Sequence, residues 1–166
     1  KGSHWRMLER EFWRLVSEER ISFGSKCDNI PALKIFLSEV QDGLVPRSWW
    51  PHSEAGHTQD AKREVMALFP NDVPFGTPKP ERLLQNIIAI ASNPSDLVLD
   101  SFLGSGTTAA VAHKMGRRWI GIEMGEHAVT HCLPRLQKVV EGEPGGISKA
   151  VNWQGGGGFR MLSLGA

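Results

Sequence analysis

The chain contains no tyrosine, only two cysteines and no apolar run of the length needed to cross a bilayer. Cys27 and Cys132 lack any CxxC neighbour. That argues against a disulfide framework or a cysteine zinc cluster and makes a reducing, cytoplasmic compartment the expectation. A membrane span needs about 18 consecutive apolar residues, and none is found. A charged-then-apolar secretory leader is also lacking. The formal net charge is only +1, so the basic excess that holds DNA by phosphate contacts alone is missing. Any DNA contact must come from a local patch or from another segment. What is present, 40% hydrophobic and 22% charged residues, is ordinary for a soluble domain and sufficient for a core.

Lys1-Gly2-Ser3-His4 resembles a cloning remnant and is set aside. Residues 5–23 carry Leu8, Phe12, Leu15 and Val16 at helical spacing, which predicts an amphipathic helix. Residues 24–31 read as a loop, and "ALKIFLSEV" as a short apolar segment with some helical character. The stretch to Thr58 is irregular, since prolines block helix. Trp49 and Trp50 there are expected to pack into the core or an interdomain surface. Gln59 to Phe69 is helical in pattern, and "PNDVPFGTPKP" extended. Glu81 to Ser92 should form a helix that sets Leu83, Leu84, Ile87, Ile88 and Ile90 against a sheet. Arg82 is a candidate phosphate or partner contact. Strands are expected at Leu97–Asp100 and Trp119–Glu123, and helices at Ser105–Met115 and Glu126–Val139. Strand, helix, strand with short joints implies a right-handed crossover and a parallel sheet. The glycine-rich residues 142–158 are expected to be partly mobile, with a late strand at Phe159–Leu164.

The stretch "LVLDSFLGSGTTAAVAHKMGRRWIGIE", residues 97–123, carries the chemistry. A strand entering a glycine turn and then a helix presents free N–H groups at the carboxyl end of the sheet, where α/β ligands bind. Gly104 and Gly106 allow a tight bend and close approach. Asp100 can accept from a cationic amino group, and Glu123 from a ribose diol. A nucleoside triphosphate site would want lysine after the last glycine, where Thr107 stands. "GSGTTA" followed by Glu123 also fits a dinucleotide site, and a purely structural turn stays open. An acid at position 100 disfavours a pyrophosphate and favours an α-ammonium group, which points to S-adenosylmethionine. His127, His131 and Cys132 are close together on one helix, but HExxH and a clear further ligand are absent, so no metal site is assigned.

"DSFLGSGTT" resembles the cofactor motif of amino-methylating DNA methyltransferases. "GTPKPERLLQNIIAIAS" is similar to the segment that precedes it in the permuted β-type order, and "RRWIGIE" to the strand with the ribose-binding acid. Residues 21–69 and "WQGGGGFR" resemble modification subunits of type III restriction–modification systems, which methylate adenine in DNA. The resemblance implies an α/β fold: a partial doubly wound, Rossmann-like parallel sheet over residues 71–166 behind a helical and irregular segment, 5–70. It implies a cofactor turn built from Asp100, Phe102, Gly104, Ser105 and Gly106. Thr107, Thr108, Thr77 and Lys79 would face the methionine carboxylate, and Glu123 would hold the ribose. It implies DNA, a restriction subunit and a second modification subunit as partners, with no membrane. Ser101 stands where the family usually has proline. The family's catalytic Asp/Asn-Pro-Pro-aromatic loop has no counterpart, since the chain has no Pro-Pro pair. Asn93-Pro94-Ser95-Asp96 begins like it but lies at the wrong end of the strand. No catalytic residue is therefore expected in this chain. It is expected to be the C-terminal, cofactor-binding part of a longer enzyme, inactive alone; a non-catalytic remnant and, more distantly, a nicotinamide enzyme are the alternatives.

Overall fold

The computed structural model describes residues 7–40, 43, 45–70 and 75–163. The chain forms two compact units, Lys1–Val45 and Pro46–Ala166. The helix expected at Gln59–Phe69 lies in the second unit.

In the first unit, α1 (Glu9–Ser17) buries Leu15 and carries the ion pairs of Arg14 with Glu11 and Glu18 on its outer side. It is shorter than the apolar pattern predicts. The chain leaves the helix at Glu19, whose φ of 56° is left-handed, and β-branched Ile21 then enters β1 (Ile21–Ser22). β1 pairs antiparallel with β2 (Ala32–Leu33), Ile21 opposite Leu33. The apolar segment after the loop is therefore a short strand and a 3₁₀ turn, Leu37–Glu39. Arg20 pairs with Glu39 and lies 4.8 Å from the centre of the Phe36 ring.

The second unit opens with α2 (His52–Ala55) and α3 (Thr58–Leu68). His57 and Asp60 cap α3 reciprocally, each side chain bonded to the other's backbone N–H. α4 (Glu81–Ala91) starts directly after Pro80, a residue that pre-sets the entry to a helix. β3 (Leu97–Asp100), α5 (Thr107–Lys114) and β4 (Arg118–Gly121) follow. β3 and β4 are parallel, with Leu97 opposite Arg118 and Asp100 opposite Gly121. A π-helical turn, Ala128–Cys132, leads into α6 (Leu133–Val140).

α5 supplies the centre of the core: Ala109 to Ala112 are fully buried. Val111 and Ala112 join Ile88 and Ile147, with Leu84, Val98 and Trp119 against them. Ala109 joins Leu103, Cys132 and Leu136. Of the apolar stripe on α4 only Ile88 is buried, because the helix turns one edge to α5 and leaves Ile87 and Ile90 exposed. The opposite face of the strands, Leu97, Leu99, Ile120 and Ile122, is about half exposed or more, from 49% to 63%.

Within the glycine-rich segment 142–158, Ile147 and Ser148 are buried, and Trp153 Nε1 donates to Val139 O at 2.7 Å. The late strand is not formed over residues 159–163, since that segment follows three glycines at positive φ and has no ladder partner among the described residues. Leu164 lies outside the described residues. Trp49 is exposed, contrary to its expected packing, while Trp50 is half-buried. Among the described residues no helix is long and apolar enough to cross a membrane.

Candidate functional site

β3 ends in Asp100, and the backbone then bends through residues 101–106 into α5. The Asp100 carboxylate turns back on its own strand end, Oδ1 accepting from Phe102 N–H at 3.0 Å. The parallel ladder continues one step, with Ile122 N–H donating to Asp100 O and Leu103 N–H to Ile122 O. Gly106, the residue before α5, has a φ of 81°. A Cβ there would lie 3.3 Å from Cys132 Cα, so the bend needs glycine both for its dihedral and for its packing.

Glu123 closes the bend from the second strand. Its Oε2 accepts from Gly104 N–H at 2.7 Å, and Oε1 from Met124 and Gly125 N–H at 2.9 Å. His127 Nε2 lies 3.1 Å from Oε1. The Gly125 and Gly104 amides, with His127 and Met124, outweigh desolvation and hold this carboxyl below the usual carboxylate range. The site thus has carboxylic acids at two neighbouring strand tips around one glycine bend.

The expected site residues divide into two groups. Asp100, Phe102, Gly104, Gly106 and Glu123 meet at the bend, with the Phe102 ring 88% exposed and Thr108 half-buried beside them in sequence. Ser105 and Thr107 are buried, their hydroxyls 3.1 Å apart. Thr107 Oγ1 accepts from Arg135 Nη1 at 2.9 Å, which turns that side chain towards α6. Thr77 and Lys79 are exposed on the segment leading into α4. That segment reaches the bend through Phe75, whose ring lies 3.4 Å from where a Gly104 Cβ would be. His127 and His131 meet the same ring edge-on, at centroid distances of 5.3 and 5.8 Å.

Phe75 was not anticipated, although an aromatic in a proline-flanked extended run just ahead of the motif is a usable signal. A second unanticipated feature supports the bend from behind. Arg135 Nη2 bonds Glu81 Oε1 at 2.9 Å, and Glu81 Oε2 accepts from Lys114 Nζ at 2.8 Å and Ile147 N–H at 3.0 Å. Lys114 also pairs with Glu143. All four charged side chains are buried, and only their pairing makes that tolerable. Nothing local distinguishes these charges from surface ones. Lys114 in particular reads as a surface lysine near the second strand, yet it is enclosed because acids from two other segments converge on it.

Arg82 bonds Ser53 O at 3.1 Å rather than standing free. The Cys132 thiol donates to Gly104 O at 3.0 Å, and burial, with the charges of Glu123 and Asp100, pushes it up to about 11. No group of three metal-ligating side chains occurs among the described residues.

With this geometry in view, the family model for N6/N4 DNA methylases matches residues 15–133. The chain belongs to the N6/N4 DNA methylase family. It is 62% identical over 86 residues to the probable type III restriction-modification enzyme HindVI Mod subunit of Haemophilus influenzae, covering 52% of this chain and 12% of that protein. It is 33% identical over 105 residues to the type III restriction-modification enzyme StyLTI Mod subunit of Salmonella typhimurium, covering 63% and 16%. It is 53% identical over 60 residues to the DNA adenine methyltransferase YhdJ of Escherichia coli, covering 36% and 20%. The chain therefore spans only a minor part of each of these relatives.

Proposed function

We propose that this chain is the cofactor-binding part of an S-adenosylmethionine-dependent DNA methyltransferase acting on the N6 amino group of adenine in a type III restriction–modification system. The observation that carries the reading is the pair of acids, Asp100 and Glu123, at adjacent strand tips around the glycine bend. Two relatives named as type III Mod subunits and one named as a DNA adenine methyltransferase support the reaction class.

The donor set fits the cofactor. Asp100 Oδ2 has no hydrogen bond among the described residues and would take the α-ammonium group. Glu123 Oε2, with one bond made, would accept from a ribose hydroxyl. Thr108, Thr77 and Lys79 remain available to the methionine carboxylate. Ser105 and Thr107 would act through their backbone, since their hydroxyls face inward. When bound, the cofactor supplies an activated methyl group on its sulfonium. The half-exposed apolar face of β3 and β4 supports a doubly wound domain, whose parallel strands are covered on both sides. Residues 71–166 would then be its cofactor half. The absence of a Pro-Pro loop supports catalytic residues supplied from outside these 166 residues. DNA, a restriction subunit and a second modification subunit would be the partners, in the cytoplasm.

Calorimetric titration with S-adenosylmethionine tests this. Binding by the wild type, lost in Asp100→Ala and Glu123→Ala with the melting temperature retained, is expected. Silence in the wild type refutes the cofactor reading and leaves a non-catalytic module. Efficient transfer of labelled methyl to DNA by the chain alone refutes the externally supplied loop.

A further inference from the structure

At the end of the strands opposite the glycine bend lies a groove of about 420 Å³. Exposed Arg118, the first residue of β4, and exposed Arg160 line it with Arg117, His113, Trp119, Phe159 and two glycines. No acid lines it. Three arginines therefore gather in one groove of a chain whose net charge is +1.

The arginines are not equivalent. Arg117 is spent on the fold: Nε bonds Ser92 Oγ at 3.2 Å, Nη1 bonds Met115 O at 2.7 Å and Nη2 bonds Ser92 O at 2.9 Å. Its charge is a fixed part of the floor. Arg118 and Arg160 are exposed, and neither guanidinium has a partner among the described residues. Other lining residues are tied to one another. Trp119 Nε1 donates to His113 Nδ1 at 3.3 Å, and His113 Nε2 meets Gly156 O at 2.9 Å. The Trp119 and Phe159 rings lie 6.0 Å apart and pack on the core cluster of α5 and α6.

We propose that this groove is a second nucleic-acid contact, in which Arg118 and Arg160 grip the phosphodiester backbone of duplex DNA independently of sequence. Like charges held together without a counter-charge repel, and neutralisation by phosphates relieves that repulsion while releasing condensed counterions. The groove is open and its free cations are exposed, which suits a continuous polyanion better than a small enclosed anion. Because it lies at the strand end away from the bend, the DNA held here is not the segment presenting the target base. The proposal rests on the reading that the chain works on DNA, but not on the cofactor assignment.

The test is anisotropy of a fluorescent duplex with the 166-residue chain, without cofactor, between 50 and 200 mM salt. Each phosphate contact contributes about 0.9 to the slope of log affinity against log salt, so Arg118→Ala with Arg160→Ala should flatten it by about 1.8. Across that four-fold salt range the wild type should lose about 12-fold more affinity than the double variant. Arg118→Glu with Arg160→Glu should abolish binding, and calorimetry with S-adenosylmethionine should be the same in all variants. An unchanged slope, or a wild type that does not bind duplex at 50 mM salt, overturns the proposal. So does binding of inorganic phosphate that the variants lose while duplex binding stays intact, which would mark a small-anion site. Failure of the cofactor reading would show only in the calorimetry.

Discussion

Replacing Glu81 by glutamine should destabilise the second unit by about 3 kcal/mol. Glu81 is 1% exposed and lies between the buried cations of Arg135 and Lys114. Glutamine keeps the shape and one acceptor oxygen, so no cavity is made and the loss is electrostatic. Breaking a buried ion pair by removing one partner costs about 3–5 kcal/mol, because an uncompensated charge stays behind. The lower end applies here. Lys114 keeps Glu143 and Gly145 O, and Arg135 keeps Thr107 Oγ1 and Ser105 O. About 3 kcal/mol is a large share of a domain's usual 5–15. Urea unfolding followed by tryptophan fluorescence measures it. Adding Arg135→Met removes one orphaned cation, so the double variant should fall short of the sum of the singles by about 0.5–3 kcal/mol. A Glu81→Gln loss below about 1 kcal/mol, or strict additivity, would refute the assignment. The pH dependence has a definite sign. Burial raises the Glu81 carboxyl, but Arg135 and Lys114 outweigh it and leave it below its ordinary value of 4.5. Its stabilisation is therefore present above 4.5 and lost as pH falls through the lower folded value. Glu64, which accepts from Glu81 N–H, is instead raised by burial, so its contribution grows as pH falls. Wild type should lose stability below that point more steeply than Glu81→Gln.

Gly106→Ala should lower stability by about 1–2 kcal/mol from its left-handed φ alone, and more from the Cys132 contact; a thermal melt at or above wild type would contradict the bend as described. At pH 8 exposed Cys27 should react with a maleimide while Cys132, buried and raised to about 11, stays protected until unfolding, as mass spectrometry of the labelled chain can show. Phe75→Ala should weaken S-adenosylmethionine binding severalfold with little change in melting temperature, since a half-buried ring over Gly104 shapes the mouth more than the core; an unchanged affinity in calorimetry would remove Phe75 from the site.

Local sequence was enough for everything whose cause is local. The strand at Leu97–Asp100, the helices at Glu81 and Thr107, and the bend between two acids followed from apolar runs, a proline entry and paired glycines, because backbone sterics act over a few residues. The first helix ended early and the last strand failed to form for reasons the periodicity does not encode, a left-handed Glu19 and a run of positive-φ glycines. Tertiary structure alone decided where the side chains of the motif point. Thr107 reads as a ligand and turns to Arg135; Lys114 reads as a surface charge and is enclosed by Glu81 and Glu143; Glu123 spends part of its carboxylate on the amides of its own bend. Each of these pairs is separated by between 2 and 33 residues along the chain. A buried charge takes its partner from whichever segment packing brings near, and the energy of that choice is written in three dimensions rather than in the spacing of residues.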